Sequence, residues 1–213
     1  MSESESNSKA HTARTIAHYE RSAAAFEEGT RSHDVTQNYA ALLDAIARVF
    51  RGPRYTVLDL GCGPGRDVAW FSAAGHEAVG LDGTEAFVKR VREATGCEAL
   101  LQDFVALTLP AARFHGIFAN ASLFHVPRVD LPRVLRELFA TLQPGGVLFS
   151  SNPHGDDQES TDERGRYCLF QTHAAWTALG ADAGFVEESH YYRPTGKPRS
   201  EQPWLATVWR KPV

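Results

Sequence analysis

The chain has 213 residues, of which 43% are hydrophobic, enough for one substantial domain and too few for two of ordinary size. Its 22 basic and 26 acidic residues give a formal net charge of −4, which offers no electrostatic case for nucleic acid. No apolar run approaches the ~20 residues of a membrane span, and the polar start is the reverse of a signal peptide. We therefore expect neither nucleic acid nor membrane as a partner.

The chain begins with a polar segment, and residues 1–10 are expected to be a disordered lead to a single domain over 11–213. Helical spacing predicts two helices, 11–28 and 35–51, which together form an N-terminal helical lid over 11–51. The loop between them ends in Asp34, a residue type that can cap the second helix.

From residue 55 to 213, predicted strands and helices alternate. The predicted strands are 56–60, 77–82, 98–102, 116–120 and 146–151, and the predicted helices are 66–74, 84–95 and 131–142. A polar loop over 152–166 and a helix at 172–183 precede two further strands, 185–192 and 204–210. Such alternation implies a parallel, Rossmann-like sheet with right-handed crossovers.

The most informative segment is a glycine turn after the first predicted strand. Asp59 lies near the end of that strand, and Gly61, Gly63 and Gly65 follow at alternate positions before a helix. Glycine allows the backbone to bend sharply and to lie against a ligand. A dinucleotide site has G-x-G-x-x-G, whereas here the third glycine comes one residue early.

Two more acids end the next predicted strands. Asp82, followed by Gly83, lies 17 residues beyond Gly65, about the spacing of an acid that accepts hydrogen bonds from ribose hydroxyls. That spacing would also suit NAD. Asp103 and Phe104 end the third strand. The three acids are thus expected at one edge of the sheet.

This arrangement resembles the class I S-adenosylmethionine (SAM) methyltransferases, whose first motif is similar to E/D-x-G-x-G-x-G. The resemblance implies a seven-stranded, mostly parallel sheet with the last strand antiparallel, and SAM as cofactor with S-adenosylhomocysteine as its product. It also implies that Asp103 and Phe104 hold the adenine. The full set of expected SAM-binding residues is Tyr19, Asp59, Gly61, Gly63, Gly65, Asp82, Gly83, Asp103, Phe104 and Asn120.

Further segments resemble the C-terminal methyltransferase domain of ovothiol synthases. They are 29–38 (GTRSHDVTQN), 118–127 (FANASLFHVP), 148–153 (LFSSNP), and 191–194 (YYRP) with 202–206 (QPWLA). The resemblance, which runs from about residue 19 to 211, implies methylation of an imidazole nitrogen of 5-thiohistidine to give ovothiol A. The iron-dependent sulfoxide synthase part of those proteins has no room here, so a separate enzyme is expected to supply the substrate.

The acceptor is expected in the loops over the carboxyl edge of the sheet, where open α/β sheets bind ligands. Candidate catalytic residues are Asp34, Asn120 and His125. Candidate substrate-binding residues are His33, Asp34, Asn38, Ser122, Asn152, Arg166, Tyr167, Tyr191, Tyr192 and Arg193. Each also has a structural interpretation, such as a helix cap or a packed ring. The nine histidines show no HxxxH or HxH spacing, so no metal site is expected.

Other functions stay open at this point. An NAD-dependent oxidoreductase would need a catalytic Tyr-Lys or Cys-His set. The lysines do not supply one, because none lies near a tyrosine at helical spacing. A SAM-binding protein without activity is a second possibility. Within the methyltransferases, the acceptor can be another small amine, thiol or imidazole metabolite. Three cysteines without a CxxC pair suit a reducing cytoplasm, which is the expected location.

Overall fold

The computed structural model describes residues 3–213, in which helices and strands alternate. The helices are α1 (Glu3–Thr30), α2 (Thr36–Ala47), α3 (Arg66–Ala73), α4 (Glu85–Thr95), α5 (Leu131–Thr141) and α6 (His173–Asp182). The strands are β1 (Thr56–Leu60), β2 (Glu77–Asp82), β3 (Glu98–Leu101), β4 (Phe114–Asn120), β5 (Leu142–Pro153), β6 (Gln158–Thr161), β7 (Tyr167–Phe170), β8 (Val186–Arg193) and β9 (Trp204–Arg210).

Seven of these strands form one sheet in the order β3-β2-β1-β4-β5-β9-β8. The first five pair in parallel, and β9 runs antiparallel to both of its neighbours. The predicted fold class is therefore confirmed. The order reverses between β1 and β4, and in sheets of this kind a crevice for a ligand opens at the carboxyl ends of the strands there.

Helices cover both faces of the sheet. Strand residues that alternate along β4 and β5 feed two cores, one containing Phe118 and Phe149 and the other Ile117 and Leu148. The first core packs against α2, α3 and α4, and the second against α5 and α6. At Gly116 a Cβ would lie 2.5 Å from Cδ1 of Ile46, so α2 approaches the sheet too closely for a side chain there.

Helix α1 begins at Glu3, inside the segment 1–10 that its composition predicts to be disordered. We correct that expectation for residues 3–10; Met1 and Ser2 lie outside the described residues. The polar composition hides a buried side, because Ser8 and Thr12 are 5% and 6% exposed and the hydroxyl of Ser8 donates to Asp130. None of the helices in residues 3–213 combines the length and the apolar character needed to cross a membrane.

A second, two-stranded sheet forms where the sequence predicts part of a polar loop. In it β6, whose side chains are all exposed, pairs antiparallel with β7. An exposed strand shows no alternation of apolar residues, so its sequence pattern does not indicate a strand. Strand β5 begins before the predicted residue 146, because Leu142 pairs with Phe114 ahead of a register shift.

Candidate functional site

The glycine turn joins β1 to α3 and lies against neighbouring strands. The N–H groups of Gly61 and Cys62 donate to the carbonyl of Leu81, at 2.7 and 3.0 Å. Gly61 has a φ of +78°, and a Cβ on it would lie 2.5 Å from Cβ of Ser122. Glycine is required at this position because both the backbone conformation and the contact exclude a side chain.

Asp82 connects this turn to the end of β2. Its carboxylate accepts hydrogen bonds from the N–H of Gly63, at 3.0 Å, and from the N–H of Thr84, at 2.9 Å. Burial raises the pKa of this carboxyl, and the backbone donors oppose that rise. Each carboxylate oxygen has more than one acceptor position, so both can accept a further hydrogen bond from a ligand.

A cleft of about 600 Å³, partly open to solvent, lies at this edge of the sheet. It runs along the carboxyl ends of β1 to β4 and is covered by α1. The lining residues from the strands and their loops are Gly61, Gly63, Asp82, Gly83, Thr84, Asp103, Phe104, Ala121, Ser122 and His125, with Phe87 from α4. Those from α1 are Thr12, Thr15, Ile16, Tyr19 and Phe26.

The covering helix carries a tyrosine that joins two distant segments. The hydroxyl of Tyr19 lies 2.9 Å from Nε2 of His125, and Nη1 of Arg166 donates to the same hydroxyl at 2.8 Å. Arg166 is itself held by Asp162 through two hydrogen bonds of 2.8 and 2.7 Å. The lid, the loop after β4 and the β6–β7 hairpin are therefore connected through one phenol group.

The hydrogen bonds of His125 determine its tautomer. Its Nδ1 lies 2.6 Å from the backbone carbonyl of Tyr167, which can only accept, so Nδ1 carries the proton. Nε2 then accepts from the hydroxyl of Tyr19. Burial lowers the pKa of His125 to about 4, so the ring is neutral at pH 7. Both ring nitrogens are engaged, which suits positioning better than proton transfer.

Part of the chain is similar in sequence to known methyltransferases. Residues 57–146 match the family model described as a methyltransferase domain. A trans-aconitate 2-methyltransferase from Azoarcus sp. (strain BH72) is 36% identical over 145 residues, which make up 67% of this chain and 54% of that protein. A malonyl-[acyl-carrier protein] O-methyltransferase from Erwinia pyrifoliae is 33% identical over 62% of this chain and 46% of its own length. The chain thus spans about half the length of the curated relatives it matches.

A solved structure has the same fold over most of both chains. It is the 1,6-didemethyltoxoflavin-N1-methyltransferase of Burkholderia thailandensis with 1,6-didemethyltoxoflavin and S-adenosylhomocysteine bound, with a TM-score of 0.67 and 24% identity over 92% of this chain and 88% of that chain. The chain has the fold of the class I SAM-dependent methyltransferases. SAM is the methyl donor of this family.

The residues of the cleft fit SAM. Carboxylates of Asp82 and Asp103 lie in its wall beside the apolar ring of Phe104, so hydroxyl, amine and ring groups of a nucleoside each meet a suitable surface. A Cβ on Gly61 or Gly83 would meet Ser122 or Ile16 at less than 3 Å, so these glycines allow the backbone to lie close to both residues. The hydroxyl of Ser122 is buried and has no hydrogen-bond partner among residues 3–213.

A second polar network connects three of the residues that the sequence predicts for the methyl-acceptor site. Nδ2 of Asn38, on α2, donates to Oδ1 of Asn120 at 2.9 Å, and the hydroxyl of Tyr191 donates to Oδ1 of Asn38 at 2.8 Å. Burial raises the pKa of Tyr191 to about 12, so the hydroxyl keeps its proton and acts as the donor. Asn120 ends β4, one residue before the cleft-lining Ala121.

The side-chain amide of Asn152 is buried without hydrogen bonds to other described residues. It is 6% exposed, and neither Oδ1 nor Nδ2 has a hydrogen-bond partner among the described residues. It lies near the carboxyl end of β5, next to β4 in the sheet, and shares a face with Leu148 and Ser150. A buried amide with both ends unpaired costs stability, and a ligand can supply the missing partners.

Several sequence candidates lie elsewhere. Asp34 is exposed, and its carboxylate accepts from the N–H of Thr36 at 2.9 Å, which lowers its pKa and caps the start of α2. His33 is also exposed, and the Arg193 guanidinium donates to the backbone carbonyl of Asp34. None of the three lines the cleft.

The remaining candidates have structural partners. Asp59 is buried beneath the turn, and its burial, together with the nearby Asp67 carboxylate, raises its pKa well above the usual range. The hydroxyl of Tyr167 donates to Glu159 at 2.7 Å. The ring of Tyr192 lies under the guanidinium of Arg199, 3.5 Å from its centroid. Gly65, with a φ of +94°, begins α3.

Sequence reasoning did not assign Thr12, Thr15, Ile16, Thr84, Phe87 or Ala121 to the cleft. A signal for the first three was present, because with Tyr19 they recur at helical spacing along α1 and so share one face. Because two residues of this helix face are polar threonines, a search for apolar periodicity does not detect it.

Proposed function

We propose that this methyltransferase transfers the methyl group of SAM to an imidazole nitrogen of 5-thiohistidine, giving ovothiol A. Support comes from the segments 29–38, 118–127 and 191–194, which resemble ovothiol synthases and which supply Asn38, Asn120 and Tyr191 to one hydrogen-bonded network. The observation that carries the proposal is this network, which ends at Asn120, one residue before the cleft-lining Ala121. The second candidate acceptor is another small amine, thiol or imidazole metabolite.

The donor end of the site follows from the cleft. SAM supplies an electrophilic methyl group on a sulfonium, and the chain binds and orients it. Asp82 would accept hydrogen bonds from the ribose hydroxyls, and Asp103 with Phe104 would hold the adenine. Tyr19 and the rest of α1 cover the cleft and exclude water, which favours displacement at the methyl carbon over side reactions.

The acceptor end must choose between two nucleophiles. A neutral imidazole nitrogen has a lone pair and needs no strong base, but the sulfur of the substrate is the better nucleophile. Selectivity then depends on holding the ring so that nitrogen faces the methyl group. The planar amide of Asn120, whose Oδ1 accepts from Asn38, offers its Nδ2 as a donor for this purpose.

Two arginines near the site have different proposed roles, one in structure and one in substrate binding. Arg166 is committed to Asp162 and Tyr19, so it supports the lid rather than a substrate carboxylate. Arg193 contacts only the backbone of Asp34 among the described residues, and its remaining N–H groups can hold the carboxylate of an amino acid. His125 is a positioning residue because it holds Tyr19.

The proposed substrate must be made before it is methylated. We infer that a separate sulfoxide synthase supplies the 5-thiohistidine, and that both enzymes act in the cytoplasm. The cysteines Cys62, Cys97 and Cys168 are all free thiols, which fits a reducing compartment.

The test is mass spectrometry of small molecules after incubation with SAM and 5-thiohistidine, with histidine and ergothioneine in parallel. We expect one methyl group on a ring nitrogen of 5-thiohistidine and little or none on histidine. Equal rates on histidine and 5-thiohistidine, S-methylation, or methyl ester formation would contradict the proposed acceptor. Trans-aconitate is included because a relative is named for it.

A further inference from the structure

A compact group of metal-ligating side chains lies between α6 and the edge strand β8. Nε2 of His173 is 2.9 Å from Oε1 of Glu187, and Nδ1 of His190 is 2.8 Å from the same oxygen. One ligand atom from each of the three residues lies within 4.8 Å of the other two. The two imidazole rings are tilted by 33° relative to each other, with centroids 3.8 Å apart.

A break in the strand brings these side chains together. Glu187 and His190 are three residues apart, a spacing that places side chains on opposite faces of a regular strand. In β8 the register shifts between Glu187 and Ser189, so that Glu187 pairs with Trp209 and His190 with Thr207. Trp209 and Thr207 share a face of β9, so the bulge turns the side chains of Glu187 and His190 to one side, toward α6.

The carboxylate is also oriented from outside the group. The hydroxyl of Thr177, one turn after His173 on α6, donates to Oε2 of Glu187 at 2.6 Å. Hydrogen bonds of this kind hold metal-ligating carboxylates in place. The three side chains are 18–38% exposed, so an ion from solvent can reach them.

We propose that His173, Glu187 and His190 bind one Zn²⁺ ion. Two imidazole nitrogens and one carboxylate oxygen are a ligand set that zinc accepts, with a fourth position left for water. Binding needs the lone pairs of Nε2 in His173 and Nδ1 in His190, so each ring carries its proton on the other nitrogen in the bound form. None of the three residues lines the SAM cleft. The ion fastens α6 to the edge of the sheet.

The test is a zinc titration of the whole chain by calorimetry, with a melting curve with and without ZnCl₂. The variants are His173→Gln, His190→Gln and Glu187→Gln, and the matched control is His33→Gln, an exposed histidine elsewhere. We expect one equivalent of zinc to bind and to raise the Tm of the parent and the control. Each ligand variant should bind zinc more than about tenfold more weakly and lose the Tm increase.

A second measurement distinguishes the loss of a metal ligand from the loss of the folded structure. Electron paramagnetic resonance with one equivalent of Cu²⁺ should show coupling to two nitrogens in the parent and to one in each histidine variant. Zinc affinities that are the same in the parent and all ligand variants would overturn the proposal, as would the absence of both binding heat and a Tm shift in the parent.

Discussion

The hydroxyl of Tyr19 lies 2.9 Å from Nε2 of His125, although 106 residues separate them in the chain. Because the same hydroxyl accepts a hydrogen bond from Arg166, it connects the covering helix with two loops at the carboxyl edge of the sheet. Closure of the cleft is thereby coupled to the segments that we propose contact the acceptor.

The pKa of His125 gives a prediction for stability against pH. Its folded pKa of about 4 lies below the value of 6.5 for an exposed histidine, so the unfolded chain binds a proton in this range while the folded chain does not. The neutral His125 contributes fully to the free energy of unfolding above about pH 6.5. This contribution, roughly 3 kcal/mol, is lost as the pH falls toward 4.

Urea unfolding at pH 7 and pH 5 measures this difference. In His125→Gln, whose amide can replace both hydrogen bonds, the free energy of unfolding should fall less between the two pH values than in the parent. His33→Gln, at an exposed site, serves as the control and should behave as the parent. The same fall in His125→Gln as in the parent would contradict the assignment.

Asp82→Asn is expected to weaken SAM binding at least tenfold. The substitution keeps the shape of the side chain but removes the negative charge and one acceptor, and hydrogen bonds to charged groups are worth ~1.5–3 kcal/mol. Calorimetry with SAM measures the loss, and Asp44→Asn, on the exposed side of α2, is the control. An unchanged dissociation constant would show that Asp82 does not hold the cofactor.

Ionisation of the same residue predicts a pH dependence. Burial raises the pKa of Asp82, and only the ionised form offers all of its acceptor positions. SAM affinity of the parent should therefore fall as the pH is lowered, beginning at a higher pH than for an exposed aspartate. The Asp82→Asn variant should lack this dependence.

Asn38→Ala and Asp34→Ala separate acceptor binding from helix capping. The first leaves Asn120 and Tyr191 without their shared partner, so we expect a higher KM for the acceptor and a loss of about 1–3 kcal/mol in stability. The second removes only the hydrogen-bond acceptor for the N–H of Thr36, so it should lower stability slightly and leave the kinetics of the methyl acceptor unchanged. A raised KM in Asp34→Ala would restore a direct role for that residue.

Asn152→Leu tests whether the unpaired amide serves a ligand. Leucine has a similar shape and removes a buried polar group without partners, so stability should stay the same or rise by ~1–3 kcal/mol. Turnover of the acceptor should fall by more than tenfold, about what two lost hydrogen bonds imply. Ser151→Ala, the neighbouring position on the other face of β5, is the matched control. Lower stability with unchanged turnover would mean that Asn152 is structural.

Local sequence patterns predicted the seven-stranded fold and the edge of the sheet at which the cleft lies. Glycines at 61, 63 and 65 after a buried strand, with acids at 82 and 103 after the next two, are short-range features. Parallel strands bring their carboxyl ends to one edge whatever else the chain does, so these positions meet in any sheet of this order.

Only the tertiary structure decided which polar side chains have partners. Asn38, Asn120 and Tyr191 come from three elements, and their hydrogen bonds depend on how α2 and β8 pack against β4. The pairing of Glu187 with His190 depends on a bulge in β8, which reverses the face that alternation predicts. Such contacts arise from packing between segments far apart in the chain, whereas local periodicity reports only which face of one element is buried.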